Sequence, residues 1–382
     1  MRTLSAYVHI PFCASRCGYC DFNTYTAEEL KRDGTSITAV TYPDRVIAEI
    51  NWTRSQMISD SREISTVFFG GGTPTMIAAT ELVRILHALD AAYGLAPDAE
   101  VTTEANPDSV TAADLKVLRE GGFTRISFGH QSSAAHVLKV LERTHTPGRT
   151  WDAVREARAA GFEHVSVDLI YGTPGETDED LIATLQDVAA ADVDHVSAYS
   201  LVVEPGTRLA GQVARGGLPA PSDDVAADRY AIVDEKLSGL GMTWYEVSNW
   251  AKPGGECRHN VAYWRNQDWL GIGPGAHAHL DGVRSWNQKH PATWANQVDG
   301  GLAPIADSEQ LTSEEIAHEN IMLRLRLREG LPISDLSDDA VAQAKLAVAE
   351  GLLEPDEFDQ GIAVLTFQGR LLADGLVARL WS

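Results

Sequence analysis

Three cysteines stand in the segment Cys13-Ala-Ser-Arg-Cys17-Gly-Tyr-Cys20, while the fourth, Cys257, lies alone far along the chain. Thiolates ligate iron–sulfur clusters, and sulfurs four and three residues apart, in a loop eased by Gly18, can converge on one cubane. Three ligands for four irons leave one iron open, and an open coordination position is where a substrate or cofactor binds. Two other readings use the same residues. A zinc site would add His9 as a fourth ligand, and unrelated buried cysteines can cluster without a function. A disulfide framework fits least, because clustered thiols in a chain without secretory features belong to a reducing compartment. Cys257 has no partner nearby in sequence and reads as structural.

Other residues of chemical interest are spread along the chain. Gly70-Gly71-Gly72-Thr73-Pro74-Thr75 ends a short apolar run. Glycines let a backbone approach a ligand closely; the Lys-Ser/Thr ending of a phosphate loop is missing, which leaves a ligand loop or a plain turn. Glu104, Gln131, Arg143 and Asp168 stand late in, or just beyond, successive strand-like runs. Singly each reads as a solvated or paired surface group, but together they share a position. The stretch Gly271-Ile-Gly273-Pro274-Gly275-Ala276-His277 lacks the spacing and the capped helix of a dinucleotide fingerprint. His259-Asn260-Val-Ala-Tyr263-Trp264 sets an imidazole, an amide and two aromatics side by side, as a ligand-facing group or as a structural loop.

Strands must carry these residues to one place. β-branched or aromatic runs recur at 5–10, 65–69, 100–103, 125–128, 164–170, 195–201 and 243–247, each followed by Gly, Pro or Asn punctuation. Helical periodicity fills the gaps at 44–57, 81–93, 112–120, 150–160, 178–190 and 223–240, with Thr111 and Asp114 forming a capping box. The alternation predicts an α/β fold, βα units around a parallel sheet closed or partly closed as a barrel, whose carboxyl-end face carries the site. This core is expected over 1–300. Residues 301–382 are expected to form a small winged-helix-like α+β domain, with helices at 314–327, 340–349 and 369–380 and a hairpin at 352–365 turning at Asp359-Gln360-Gly361.

Composition limits the partners. With 31 basic and 54 acidic residues the formal net charge is −23, a field that repels polyphosphates. Residues 311–382 carry about two acidic side chains for each basic one, so the wing is not expected to bind DNA. The first dozen residues hold one Arg and a short apolar stretch, too little for a signal peptide, and no run approaches the roughly 20 apolar residues of a membrane span. A cytoplasmic protein that neither spans a membrane nor binds nucleic acid is the expectation.

The C-x3-C-x2-C loop after a first strand resembles that of the radical S-adenosylmethionine (SAM) superfamily, and Tyr7-Val-His-Ile-Pro-Phe-Cys13 is similar to the oxygen-independent coproporphyrinogen dehydrogenase family and its relatives. The resemblance implies a partial (β/α) barrel, a 4Fe-4S cluster on Cys13, Cys17 and Cys20, and SAM chelated at the open iron. It implies Tyr7 beside SAM, Tyr19 near the adenine, and the loop of Gly71, Gly72 and Thr73 at the amino group of the methionine moiety. Glu104, Gln131, Arg143 and Asp168 match positions that contact SAM or a second molecule of it, and the 271–277 loop would run past SAM. A sulfonium with polar ends suits carboxylates and amides.

Within that family, coproporphyrinogen dehydrogenases carry a further cysteine two residues after the third, where this chain has Phe22, and a longer segment ahead of the cluster. His259-Asn260-x-x-Tyr263-Trp264 is similar to the H-N-x-x-Y-W motif of HemW-type haem chaperones. Imidazole is a common axial ligand of haem iron, and Tyr and Trp pack on porphyrin faces. Over nearly the whole chain the resemblance implies a chaperone that binds haem through His259, with Asn260, Tyr263 and Trp264 in support. The haem would pass to an acceptor protein, for which a membrane-associated haem enzyme is one candidate, and an electron donor would serve the cluster. The loop after the motif departs from the family pattern at Pro274 and His279. Coproporphyrinogen dehydrogenation and radical SAM methyl transfer stand as the alternatives, and whether SAM is cleaved is open.

Overall fold

The computed structural model describes every residue except Met1, Gly34, Ser36 and Ser382. Twelve strands form one sheet: β1 (Leu4–Ile10), β2 (Ile64–Gly71), β3 (Leu95–Ala105), β4 (Arg125–Gln131), β5 (His164–Tyr171), β6 (His195–Ser200), β7 (Thr243–Glu246), β8 (Asn249–Ala251), β9 (Asp268–Ile272), β10 (His277–Leu280), β11 (Val283–Asn287) and β12 (Ile305–Gln310). Their spatial order is β12-β11-β10-β9-β1-β2-β3-β4-β5-β6-β8-β7. From β9 through β1 to β6 every neighbouring pair is parallel. Antiparallel strands continue the sheet at both edges, and the result is a partial barrel.

Each parallel crossover needs a helix to return the chain. These are α1 (Tyr42–Gln56), α2 (Ala79–Tyr93), α3 (Ala112–Glu120), α4 (Arg149–Ala160), α5 (Asp178–Ala190) and α6 (Asp223–Gly239). The expected box of Thr111 and Asp114 caps α3, and Thr177 with Asp180 caps α5 in the same way. The apolar stripes of these helices, among them Leu82, Leu86, Leu118, Ala157, Leu185 and Leu237, pack on strand residues such as Val67, Phe69, Phe128 and Val167 in one core. Each fully buried Leu or Phe contributes about 1.5–3 kcal/mol. Inward positions alternate with these, and Val165-Ser166-Val167-Asp168 places its polar members inside the barrel.

Three expectations change. The run at 243–247 is an antiparallel edge strand rather than part of the parallel series, because only Val247 and Ser248 separate β7 from β8 and no crossover fits. The main sheet reaches past residue 300, since β12 pairs with β11 through Gln310. Of the hairpin expected at 352–365 the ends do pair, Leu353 bridging Leu365 and Glu354 N–H donating to Val364 O at 2.9 Å, but a short helix, Pro355–Asp359, stands between them and the strand Ile362–Ala363 pairs with Leu331–Pro332 instead. Pro355 in the first turn, with Asp356 and Glu357 behind it, favours a helix start.

The C-terminal part has its own core, including Ile321, Leu325, Leu353, Leu365, Leu376 and Leu380, formed around α7 (Ser313–Arg324), α8 (Asp338–Ala349) and α9 (Ala373–Leu380). Arg370 joins the two parts: it donates to both Asp234 oxygens at 2.8 and 2.9 Å, and its guanidinium lies 4.6 Å from the Trp244 ring centre. Among the described residues no helix is long and apolar enough to cross a membrane.

Candidate functional site: the barrel rim

The cysteine loop leaves β1 and is tied down from outside, Gly18 N–H donating to Leu141 O at 3.1 Å and Leu209 N–H to Gly18 O at 2.8 Å. Burial pushes the Cys13 thiol up to about 11 and raises Cys20, and the neighbouring cysteine sulfurs add to both. Thr73 Oγ1 faces Cys13 Sγ at 3.9 Å, and Arg143 Nη1 faces Cys17 Sγ at 3.4 Å. Positive and hydroxylic donors already aimed at sulfur suit an anionic cluster. Among the described residues no His, Cys, Asp or Glu trio converges on a point as the ligands of one ion must. Sulfurs spaced this way suit a cubane, in which each binds its own iron. The zinc alternative also loses its fourth ligand, since the His9 ring is held by Tyr7 Oη at 3.0 Å and Asn23 O at 2.9 Å.

The glycine loop packs directly on the cysteine loop. Gly72 N–H donates to Ile10 O at 2.8 Å and Thr73 N–H to Phe12 O at 2.7 Å. A Cβ on Gly72 would stand 2.5 Å from Phe12 O, so only glycine fits this close approach. Gly71 N–H donates to Glu104 Oε2 at 3.2 Å. With these N–H groups engaged, the loop keeps no main-chain donor at Gly71, Gly72 or Thr73 for a ligand.

Glu104 and Asp168 lie one strand apart on either side of β4, in register with Ser127 and Gly129 respectively. Burial, reinforced by the charge of Asp168 and opposed by the Gly71 N–H, pushes Glu104 up to about 8. Asp168 is raised by burial and steadied by Ser197 and by Ser127 Oγ at 3.1 Å. Tyr7 stacks on Phe68 with ring centres 6.3 Å apart, and burial raises its phenol. Gln131 ends β4 at φ 68°, after a register shift that begins at Gly129; this left-handed backbone costs a non-glycine residue about 1–2 kcal/mol. Arg143 Nη2 donates to Gly129 O at 2.7 Å while Nη1 reaches Cys17, so one guanidinium links the rim to the cluster loop. Tyr19 packs against the apolar group of Leu141, Ile170, Leu201 and Leu209 behind that loop.

Tyr7, Glu104 and Asp168 converge on an interior cavity of about 150 Å³. Its amino end is stopped by the buried Arg125–Glu100 pair, 3.0 Å apart, and by the short helix Arg258–Trp264. Here the structure departs from the expected haem contacts at His259, Asn260 and Trp264, while Tyr263 lines both this cavity and a wider cleft above the rim. His259 is 1% exposed, with Nδ1 2.8 Å from Thr66 Oγ1, Nε2 2.8 Å from Tyr263 Oη and its N–H on Glu100 Oε1 at 3.0 Å. Burial pushes the imidazole down to about 3, so it is neutral, and both ring nitrogens are engaged. Asn260 donates to Tyr245 Oη and Glu246 Oε1, each at 3.2 Å. Trp264 buries an indole N–H that has no partner among the described residues. This cavity is well below the 300–1,000 Å³ of ordinary ligand pockets and too small for a porphyrin, and His259 and Asn260 help to close its amino end.

Above the rim a second, wider cleft of about 780 Å³ opens between the barrel and α7. Tyr7, Gly71 and Glu104 form its floor, Trp269 and His277 one wall, and Met322 and Leu323 the other. Ser127, Ser166 and Ser197, which line the interior cavity from alternate positions of their strands, were not singled out from the sequence; that period-two alternation is the signal that could have found them. Trp269, His277 and Met322 carried no local signal, because remote elements bring them together.

Comparison with known proteins agrees with this architecture. Residues 7–188 match the model of the radical SAM superfamily and residues 311–372 that of the HemN C-terminal domain. The chain is 48% identical to a Mycobacterium tuberculosis protein named heme chaperone HemW, over 99% of this chain and 95% of that one. It is 32% identical to the Bacillus subtilis protein of the same name, over 97% of each. The solved structure of Escherichia coli coproporphyrinogen III oxidase, HemN, superposes with a TM-score of 0.83 at 26% identity, over all of this chain and 90% of that one. With a partial barrel, a rim of three thiols and kinship over its full length, the chain belongs to the HemW family of radical SAM proteins.

Proposed function

We propose that this chain is a haem chaperone, which takes haem up at the barrel rim and hands it to an acceptor protein. The observation that carries the reading is the cleft of about 780 Å³ that opens directly above the rim, whose floor of Tyr7, Gly71 and Glu104 is the SAM site and whose walls extend beyond it to Trp269, His277, Met322 and Leu323, leaving room for a large flat ligand beside SAM. Relatives matched over nearly their whole length bear that function in their names.

When bound, the 4Fe-4S cluster and SAM supply one-electron chemistry at an open iron. The chain's own residues hold them. Cys13, Cys17 and Cys20 ligate the cluster, with Thr73 and Arg143 donating to two of the sulfurs. Gly71, Gly72, Thr73 and Glu104 receive the cationic end of SAM, Tyr7 bounds it, and Tyr19, Gln131, Arg143 and Asp168 complete the surround. The haem acceptor is an apo-haem protein, with membrane-associated haem enzymes as candidates, and a small reductant protein serves the cluster. Phe22, 60% exposed at the cleft, stands where coproporphyrinogen dehydrogenases carry their further cysteine.

The test uses anaerobically reconstituted protein. Haem titration is expected to give a saturable Soret band, and mixing with an apo-haem protein to move that band to the acceptor's position. The likeness to HemN calls for a parallel assay with coproporphyrinogen and SAM: formation of protoporphyrinogen, or no haem binding at all, overturns the reading.

A further inference from the structure

The cleft wall offers an imidazole that His259 does not. In the antiparallel extension of the sheet, β10 pairs with β11 so that His277 stands opposite Trp286 and His279 opposite Arg284, while Trp269 of β9 stands opposite His279. Directly opposed residues share a face, so Trp269, His277, His279, Arg284 and Trp286 all present to one side. His277 stacks on Trp286 with ring centres 5.9 Å apart and 26° between planes. Its main chain is fixed by Trp269 Nε1, which donates to His277 O at 2.9 Å. The ring itself is exposed, lines the large cleft, and forms no hydrogen bond among the described residues. His277 is thus a rigidly mounted imidazole with a free nitrogen, opposite Met322 and Leu323 of α7.

We propose that His277 is the axial ligand of haem, which lies in the cleft between the antiparallel extension and α7, with its propionates toward Lys289. This rests on the haem-chaperone reading and names its site. Charge supports the orientation. Arg284 also lines the cleft, but Glu309 and Glu319 already pair with it, whereas Lys289 is exposed and has no ion pair among the described residues. Trp269, Met322 and Leu323 supply the apolar contact a macrocycle needs. His279 shares that face but is buried, its ring packed on Trp269 with centres 5.1 Å apart, so of the two imidazoles only His277 lines the cleft. A single ligand on an open wall suits a carrier that must let its cargo go.

The experiment titrates haem into the full-length, anaerobically reconstituted protein and its His277→Gly, His259→Ala and Lys289→Glu variants. Circular dichroism and cluster content check that each is folded. His277→Gly is expected to bind haem at least tenfold more weakly and to lose the spectrum of an imidazole-ligated haem. Added free imidazole should restore that spectrum, which a merely structural defect would not allow. Lys289→Glu is expected to weaken binding several-fold with the spectrum unchanged. If His277→Gly keeps wild-type affinity and spectrum, or if folded His259→Ala alone loses the imidazole signature, the assignment is overturned while the chaperone reading stands. If the wild type binds no haem, both fall.

Discussion

Glu104 links SAM binding to pH with a sign that can be worked out. Its carboxyl is held at about 8, first by burial, then by the charge of Asp168, against one hydrogen bond from Gly71. At pH 7 about nine carboxyls in ten are therefore protonated in the SAM-free protein. SAM brings a sulfonium and an ammonium, and a cation within roughly 4–6 Å lowers a carboxylate's pKa by about 1–3 units. A drop of about 2 units means that each SAM bound at pH 7 expels about 0.8 proton, and that affinity rises by up to about 100-fold, or about 2.7 kcal/mol, on going from below pH 6 to above pH 8. The stability of the SAM-free protein has the opposite slope. A carboxyl raised on folding favours the native state fully below its ordinary pKa of about 4.3, and this contribution is lost as pH climbs through about 8. Glu104→Gln keeps a neutral, isosteric group, so its SAM-free stability should fall less steeply than the wild type's as pH rises towards 8, the slope that remains coming from groups such as Glu49 and Glu176, and its SAM affinity should be low at every pH. Calorimetric titration of SAM in two buffers of different ionisation enthalpy measures the protons released. Near-zero release by the wild type at pH 7, or a wild-type pH slope in Glu104→Gln, would refute the reasoning.

The other predictions concern the frame around that carboxylate. Alanine at Cys13, Cys17 or Cys20 should abolish cluster assembly, while Cys257→Ala, whose Sγ lies 3.6 Å from Glu100 Oε1 at the barrel's amino end, should assemble it normally; iron and sulfide analysis decides. Gly72→Ala places a methyl 2.5 Å from Phe12 O and 2.9 Å from Ile10 O, both main-chain atoms that cannot swing aside. The expected overpacking cost is about 1–3 kcal/mol, read as a lower urea midpoint, together with weaker SAM binding as the two loops part. Arg370→Ala removes both hydrogen bonds to Asp234 and the cation over Trp244. Asp234 keeps the Trp250 indole N–H at 2.8 Å but loses its counter-charge, which should lower stability by about 2–4 kcal/mol, and an unchanged denaturation curve would show that the two parts are held otherwise.

What could be read from the sequence is what is set locally. Cys13, Cys17 and Cys20 declare themselves because cluster ligation depends on short-range spacing, and the strands carrying Glu104, Gln131 and Asp168 show in runs whose ends share one rim by the handedness of βα crossovers. His259 misled for a physical reason. Its motif lies on a seven-residue helix, and nothing in four neighbouring side chains tells which way so short an element turns. That direction is set by Glu100, some 160 positions away, whose carboxylate takes the His259 N–H and draws the imidazole inward onto Thr66 and Tyr263. The cleft was hidden for the same reason, since its floor and walls come from Tyr7, His277 and Met322, which only the assembled sheet and α7 bring together. The motif's His259 therefore stands at the closed end of the barrel, whereas the exposed His277, whose ring bonds to nothing among the described residues, opens β10 just after Pro274 and two residues before His279, where the chain departs from the family pattern. A ligand needs a nitrogen that the fold has left unbonded, and only the assembled structure reveals that property.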